Sequence, residues 1–267
     1  MDRDELLLDF EPGLSAAVQA RLEQYVIADD VQIVDVAPHY SLLSVQGPES
    51  PAVIHALDLG LHPLPAAGHS VQLTDPALGE ICCAHLPRGA TAGFDLFVPN
   101  ATAEVAARRL LMAARKIGGA PAGWDALELV RVEAGVPRFG VDMDESTLAP
   151  EAGIEERAIS YMKGCYIGQE VIARIRTYGQ VAKALRGLRF APEAQVLPKK
   201  GDKIYWSDKE IGYVTSSTAS PTLKSNVALS YLRRERNQIG SEVLVDCQGE
   251  RFPATVATLP FTPFVKE

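Results

Sequence analysis

The spacing of apolar residues predicts a mixed α and β region in roughly the first half of the chain. Helical spacing begins after Gly13, after Gly47 and at Trp124, and a long amphipathic helix is predicted over Ala101–Ile117. Strands are predicted at Val31–Val36, Ser41–Val45, Ser70–Thr74, Glu80–Leu86 and Phe94–Val98. This order predicts the α+β class, in which helices cover one face of an antiparallel sheet.

The pattern changes after Gly179 to short strands at regular spacing. The six predicted strands are Lys183–Phe190, Lys203–Trp206, Glu210–Ser216, Asn226–Tyr231, Glu242–Asp246 and Arg251–Ala257. Such a series predicts a small β-barrel, which closes its own edges. We therefore expect an α+β body over residues 1–180 and a C-terminal six-stranded barrel over residues 181–267.

The charge distribution supports this boundary and excludes several classes of protein. Residues 1–181 carry 13 basic and 25 acidic side chains, a balance of −12, whereas residues 182–267 have a balance of +4. Because a nucleic-acid binder usually carries a basic field over a whole domain, we do not expect a nucleic-acid partner. No apolar run approaches the ~20 residues of a membrane span, and the acidic N-terminus lacks the pattern of a signal peptide. These features predict a cytoplasmic protein without a membrane partner.

The four cysteines are too few and too poorly spaced for a disulfide scaffold or a local metal site, and we predict no metal ligands. Cys82, Cys83 and Cys247 lie in strand patterns and are interpreted as small buried apolar residues. Cys165 differs, because it precedes a predicted helix N-terminus near Gly168 and follows a lysine by two positions. Both features favour the thiolate, the form that acts as a nucleophile. Cys165 is thus the candidate catalytic residue.

A basic stretch surrounds this cysteine. It contains Arg157, Lys163, Arg174, Arg176, Lys183, Arg186 and Arg189, with Glu170 as its single acid. Such a run is often only a solvated helix face. Here it is interleaved with glycines and with Tyr161, Tyr166 and Tyr178, and cations beside aromatic rings suit a planar anionic ligand.

Several ordered motifs in this part of the chain resemble a known family. They are Arg131-Val132-Glu133-Ala134-Gly135, Asp142-x-Asp144-Glu145-x-Thr147-Leu148, Pro150-Glu151-Ala152-Gly153, and Lys163-Gly164-Cys165-Tyr166-x-Gly168-Gln169-Glu170 followed by Arg174. The first three resemble the glycine-cleavage T-protein (aminomethyltransferase) superfamily. The last resembles the signature of its YgfZ branch, folate-binding proteins of iron–sulfur cluster assembly or repair.

The resemblance implies that the chain binds tetrahydrofolate. Glu133 matches the carboxylate that recognises the pterin ring, whose amino and ring N–H groups suit a bidentate acceptor. Lys163 and Arg174 would face the glutamyl carboxylates or shape the charge around Cys165, and Tyr166 and Gln169 are predicted to bind the folate with them. The alternative for Glu133 is a surface ion pair with Arg131 or Arg138.

Two departures from the family bear on function. First, the match is expected to begin partway into the family pattern, near Leu6–Phe10. It would then lack the N-terminal segment that carries an acidic residue associated with catalysis in the family. Second, Phe139 stands where relatives often have tyrosine. The first hypothesis is therefore an accessory factor in iron–sulfur cluster assembly or repair, with iron–sulfur client or assembly proteins as partners. The alternatives are a tetrahydrofolate-dependent aminomethyltransferase and a non-catalytic binding module.

Overall fold

The computed structural model describes residues 5–179 and 181–261, which form two compact units that divide between Ala122 and Gly123. The elements of the first unit are α1 (Ser15–Glu23), β1 (Tyr40–Gln46), α2 (Ser50–His55), β2 (Ser70–Asp75), β3 (Gly79–His85), β4 (Gly93–Pro99) and α3 (Ala103–Lys116). The four strands pair antiparallel in the order β1–β4–β3–β2. The predicted antiparallel sheet with helices is confirmed.

The core of the first unit lies where α2 and α3 meet the sheet. Helix α3 buries Ala106, Leu110 and Ala113, which are spaced by four and three residues and so share one face. These side chains pack with buried residues of α2 and of the central strand β4, including Ile54 and Phe94. The apolar residues of the helices and of the strands, each at the spacing typical of its element, therefore face one shared core.

The prediction of a strand over Val31–Val36 is wrong. The segment is irregular until a 3-10 turn at Ala37–His39, and no described strand pairs with it. Val34 is 68% exposed, so this apolar side chain is not buried in the first unit. Leu6–Phe10, which also has a strand-like pattern, is likewise irregular. Without a neighbour to hydrogen-bond its backbone, an apolar pattern alone does not make a strand.

The second unit contains three helices followed by the barrel. Its elements are α4 (Trp124–Glu133), α5 (Glu155–Ala158), α6 (Gln169–Tyr178), β5 (Lys183–Phe190), β6 (Lys203–Trp206), β7 (Lys209–Ser220), β8 (Ser225–Arg233), β9 (Glu242–Cys247) and β10 (Glu250–Ala257). The six strands close in the order β10–β5–β8–β7–β6–β9. The predicted C-terminal barrel is confirmed, and β5 and β6 have the predicted bounds.

Strands β7 and β8 of the barrel approach each other closely at one glycine. A Cβ atom at Gly212 would lie 2.1 Å from the carbonyl oxygen of Tyr231, so only glycine fits there. The barrel interior is filled by buried aliphatic side chains from every strand, among them Leu188, Val214 and Val245. Helix α4 packs on β7 and β8, which brings its C-terminal end to the barrel.

Residues 135–154 form a loop of turns with one isolated bridge between Phe139 and Met143, and their glycine, proline and acid content is typical of such a loop. Among the described residues, no helix has both the length and the apolar character needed to cross a membrane.

Candidate functional site

The end of α4 is shaped by a Schellman motif. Gly135 has a φ of +67°, its N–H donates to Val132 O at 3.0 Å, and the Val136 N–H donates to Arg131 O at 2.9 Å. A Cβ at position 135 would also lie 2.8 Å from the Cβ of Leu259. The Arg-Val-Glu-Ala-Gly motif is therefore a helix terminus that fixes the last turn of α4, including Arg131 and Glu133.

Glu133 is 8% exposed and its carboxylate faces the turn between β7 and β8. The Ser220 hydroxyl donates to Oε1, and the Thr222 hydroxyl donates to Oε2 at 3.1 Å. Ser220 is held in turn by the Leu223 N–H, which donates to its hydroxyl oxygen at 3.0 Å. Glu133 is thus a buried carboxylate oriented by the barrel.

Arg131 forms the centre of a second buried network on the same helix. Its guanidinium donates to Asp142 Oδ2 at 2.8 Å, to Ser216 Oγ at 2.8 Å and to Glu128 Oε2 at 2.7 Å. Arg131 and Asp142 are 5% and 3% exposed, so this ion pair is screened little by solvent. Arg138 also donates to Glu128, which therefore accepts hydrogen bonds from both arginines.

A bulge in β7 supplies the hydroxyls around Asp142. The register between β7 and β8 shifts between Val214 and Ser216, so Thr215 and Ser216 do not alternate across the strand in the usual way. Both hydroxyls donate to Asp142 Oδ1, Ser216 at 2.7 Å. The bulge therefore anchors the 135–154 loop to the barrel. These residues were not predicted from the sequence, although the hydroxyl-rich run from Thr215 to Thr222 was a usable signal.

The remaining predicted site residues lie together in the segment 159–179, hereafter the cysteine segment. Cys165 is exposed, and every side chain of α6 is at least partly exposed. Gln169 Oε1 accepts a hydrogen bond from the Tyr166 N–H at 3.1 Å, a local contact to the chain just before α6. Lys163 Nζ lies 5.5 Å from the centre of the Tyr166 ring. Arg174 is exposed on α6.

The predicted residues thus fall into two groups. Glu133 lies in the buried group on α4, whereas Lys163, Cys165, Tyr166, Gln169 and Arg174 belong to the exposed cysteine segment. Over residues 5–179 and 181–261, no cluster of three or more His, Cys, Asp or Glu side chains could hold a metal ion.

The other cysteines lie in strands, as interpreted from the sequence. Cys83 is 0% exposed and Cys247 is 7% exposed, and burial raises the pKa of each thiol to about 12. Cys82 is half-buried, and burial also raises its pKa. These three thiols are accordingly protonated at neutral pH and poorly accessible.

An open pocket of about 330 Å³ lies at the end of the β7–β8 hairpin, beside the serine that holds Glu133. Its lining residues are Pro192, Ala219, Ser220, Pro221, Lys224, Ser225 and Asn226. Lys224 is the one charged member, and its backbone has a φ of +50°, which is uncommon for a residue with a side chain.

Sequence comparison matches both parts of the chain to one family. The model described as the GCVT N-terminal domain matches residues 1–163, and the model described as the glycine cleavage T-protein C-terminal barrel domain matches residues 183–262. The second match contains all six barrel strands.

Curated relatives are named aminomethyltransferase. The protein of Bacillus licheniformis is 29% identical over 88% of this chain and 64% of its own length. That of Halalkalibacterium halodurans is 30% identical over 91% of this chain and 65% of its own length. The chain therefore spans slightly less than two thirds of the length of these relatives.

A solved structure has the same fold. The glycine cleavage system aminomethyltransferase T from Bartonella henselae superposes with a TM-score of 0.82, at 22% identity, over 95% of this chain and 68% of that one. At this identity the likeness concerns the fold alone. Family membership is shown by the two family models, which account for most of the sequence: the chain belongs to the glycine-cleavage T-protein superfamily.

Proposed function

We propose that this chain binds tetrahydrofolate through Glu133 and takes part in aminomethyl transfer of the T-protein type. The observation that carries the proposal is the carboxylate of Glu133, buried at the end of α4 and oriented by two hydroxyl donors. The family membership and the names of the relatives support the same reading. This was the alternative hypothesis from the sequence, and the comparisons favour it over an iron–sulfur role.

The chemistry of Glu133 fits a pterin. The ring presents an amino group and a neighbouring ring N–H side by side, and a carboxylate accepts such a pair in a bidentate arrangement. A carboxylate offers about four lone-pair positions, so hydroxyl donors to each oxygen do not exhaust its capacity as an acceptor. Because the side chain is buried, a correctly placed donor pair gains more there than at a solvated surface.

The iron–sulfur accessory role remains a second candidate because Cys165 is an exposed thiol in a segment rich in basic and aromatic side chains. Clusters commonly need four thiolates, and one cysteine cannot provide them. A cluster contact by Cys165 would therefore be shared with a client or assembly protein. Lys163, Tyr166, Gln169 and Arg174 would surround that contact, or would bind the glutamyl end of folate in the first proposal.

Isothermal titration calorimetry with tetrahydrofolate tests the binding proposal. We expect saturable heat for the wild type and an affinity lower by about tenfold or more for Glu133→Gln, because the amide cannot accept two charge-assisted hydrogen bonds. Glu250→Gln, an exposed position on β10, is the matched control and should bind like the wild type. Absence of saturable heat in the wild type would contradict the proposal.

Two further assays separate the candidate activities. Release of ammonia and formation of methylenetetrahydrofolate from an aminomethyl-loaded carrier protein support the transferase. Loss of activity of an iron–sulfur client in cells that express Cys165→Ala supports the accessory role. If the transferase assay is negative while tetrahydrofolate binds, the aminomethyl-transfer part of the proposal is wrong and the binding part stands.

A further inference from the structure

The turn between β7 and β8 presents a hydroxyl to each carboxylate oxygen of Glu133. Ser220 donates to Oε1 and Thr222 donates to Oε2. A carboxylate with one donor on each oxygen is restrained in rotation about its last side-chain torsion, which is otherwise soft. This turn therefore restrains the plane of the carboxylate, and with it the direction in which the carboxylate accepts other hydrogen bonds.

Ser220 is the stronger of the two restraints. Its side chain is 3% exposed, whereas Thr222 is exposed. The Leu223 N–H donates to the Ser220 hydroxyl oxygen, so this hydroxyl accepts from the turn and donates to Glu133. A hydroxyl fixed on both sides has one orientation in which it satisfies both contacts. Ser220 thus transmits the backbone geometry of the turn to Glu133.

We infer that Ser220 is a positioning residue for ligand recognition, which orients the Glu133 carboxylate toward the paired N–H donors of a pterin. This inference rests on the proposed function. It adds that the affinity for the pterin depends on a residue of the barrel hairpin that is not itself required to touch the ligand. Groups held in place by hydrogen bonds of their own bind more tightly because less order is lost on binding.

Ser225 provides a matched control. It is the cross-strand partner of Ser220 in the β7–β8 pairing, and opposite residues in an antiparallel pair have side chains on the same face. Ser225 is 7% exposed, and its hydroxyl has no hydrogen-bond partner among the described residues. Ser225→Ala therefore removes the same atom from the same hairpin end without removing a donor to Glu133.

The experiment measures tetrahydrofolate affinity by calorimetry, and thermal unfolding without ligand, for the wild type, Ser220→Ala, Ser225→Ala and Ser220→Thr. We expect Ser220→Ala to weaken binding by about tenfold, the order of one hydrogen bond to a charged group. Ser225→Ala should bind like the wild type. Ser220→Thr, which retains the hydroxyl, should recover most of the affinity.

Each contrary outcome overturns the inference. One is wild-type affinity in Ser220→Ala, even with a lower unfolding temperature, which would make Ser220 only a structural contact. Another is equal weakening by Ser225→Ala, and a third is a Ser220→Thr variant that unfolds at the wild-type temperature yet binds as weakly as Ser220→Ala. If the wild type shows no saturable binding, the proposed function fails and the positioning role fails with it. The wild-type measurement alone distinguishes this failure of the proposed function from a failure of the positioning role, which only the variants can reveal.

Discussion

The end of α4 and the cysteine segment both carry motifs that predict functional residues, but the two regions differ in how their side chains are held. Around α4, Arg131, Glu133 and Asp142 are buried and hydrogen-bonded to strand hydroxyls of the barrel. In the cysteine segment the contacts are local and the side chains are at least partly exposed. A ligand that needs fixed geometry is therefore expected at α4, whereas the cysteine segment is suited to reagents or partners that approach from solvent.

The largest expected difference between buried and exposed positions is in thiol reactivity. With a disulfide reagent such as Ellman's reagent at mildly alkaline pH, we expect Cys165 to react at least about a hundredfold faster than Cys83 and Cys247, which need local opening. Cys165 is exposed, while burial raises the pKa of the other two thiols to about 12. A Cys165→Ser variant should lose the fast phase of the reaction. A fast phase that persists in this variant would show that the cysteine segment is not the accessible one.

The second prediction concerns the buried ion pair. Asp142→Asn removes the fully buried one of the two carboxylates that pair with Arg131 and leaves only the partly exposed Glu128. It should lower the free energy of unfolding of the second unit by about 2 kcal/mol, the order of a buried hydrogen bond between charged groups. Both tryptophans of the chain, Trp124 and Trp206, lie in that unit, so urea unfolding followed by tryptophan fluorescence reports on it.

Glu210→Gln is the control for this measurement. It removes an ion pair with Lys203 at 3.0 Å in which both side chains are about half exposed. Solvent screens such a pair, and the expected loss is below about 1 kcal/mol. Equal losses in the Asp142 and Glu210 variants would mean that burial does not distinguish the α4 network from the protein surface.

Most helices and strands were predictable from the sequence because they follow a local periodicity of apolar residues. The six barrel strands and α3 have regular apolar spacing, and the structure has them where predicted. Val31–Val36 has the same kind of pattern but no described partner strand. A β-strand requires a neighbouring strand that hydrogen-bonds to its backbone, so the apolar pattern of one segment could not show whether Val31–Val36 forms a strand.

The candidate site was predictable only in part. The motif predicted a ligand-binding role for Glu133. The hydroxyls that donate to Glu133, however, come from a turn more than eighty residues away, and no local pattern links the two. The role of Asp142 depends on a bulge in β7 that directs two consecutive hydroxyls to the same carboxylate oxygen. Such contacts follow from register and packing of the barrel, which a single sequence does not specify.

A smaller effect is expected within the cysteine segment. The Arg176 guanidinium lies 3.9 Å from the centre of the Tyr161 ring, and both side chains are exposed. Arg176→Ala should lower the free energy of unfolding by only about 0.5 kcal/mol, the range of an exposed cation–π contact. The same fluorescence-detected urea unfolding measures it. A loss as large as that of Asp142→Asn would show that this segment is a structural core of the unit.

The smallest effect is predicted for Asp144, which lies two residues from Asp142 on the same loop but is exposed. Hydrogen bonds from the hydroxyl and N–H of Ser146, at 2.6 and 2.9 Å, lower the pKa of this carboxyl. A lowered folded-state pKa means that the stabilising contribution is present at neutral pH and is lost as the pH falls through that pKa. Ser146→Ala should raise the Asp144 pKa toward the ordinary value for aspartate, as measured by NMR titration of the carboxyl carbon.

The urea midpoint of Ser146→Ala at neutral pH should stay close to that of the wild type, because water replaces the lost donor at an exposed carboxylate. Asp142 has no such replacement, since its donors are Arg131, the Arg138 N–H and two buried strand hydroxyls. Two carboxylates on one loop, each accepting several hydrogen bonds, should thus differ in stability because only one is sealed from solvent. If Ser146→Ala shifted the midpoint as far as Asp142→Asn, the number of hydrogen bonds rather than burial would set the strength of the α4 network.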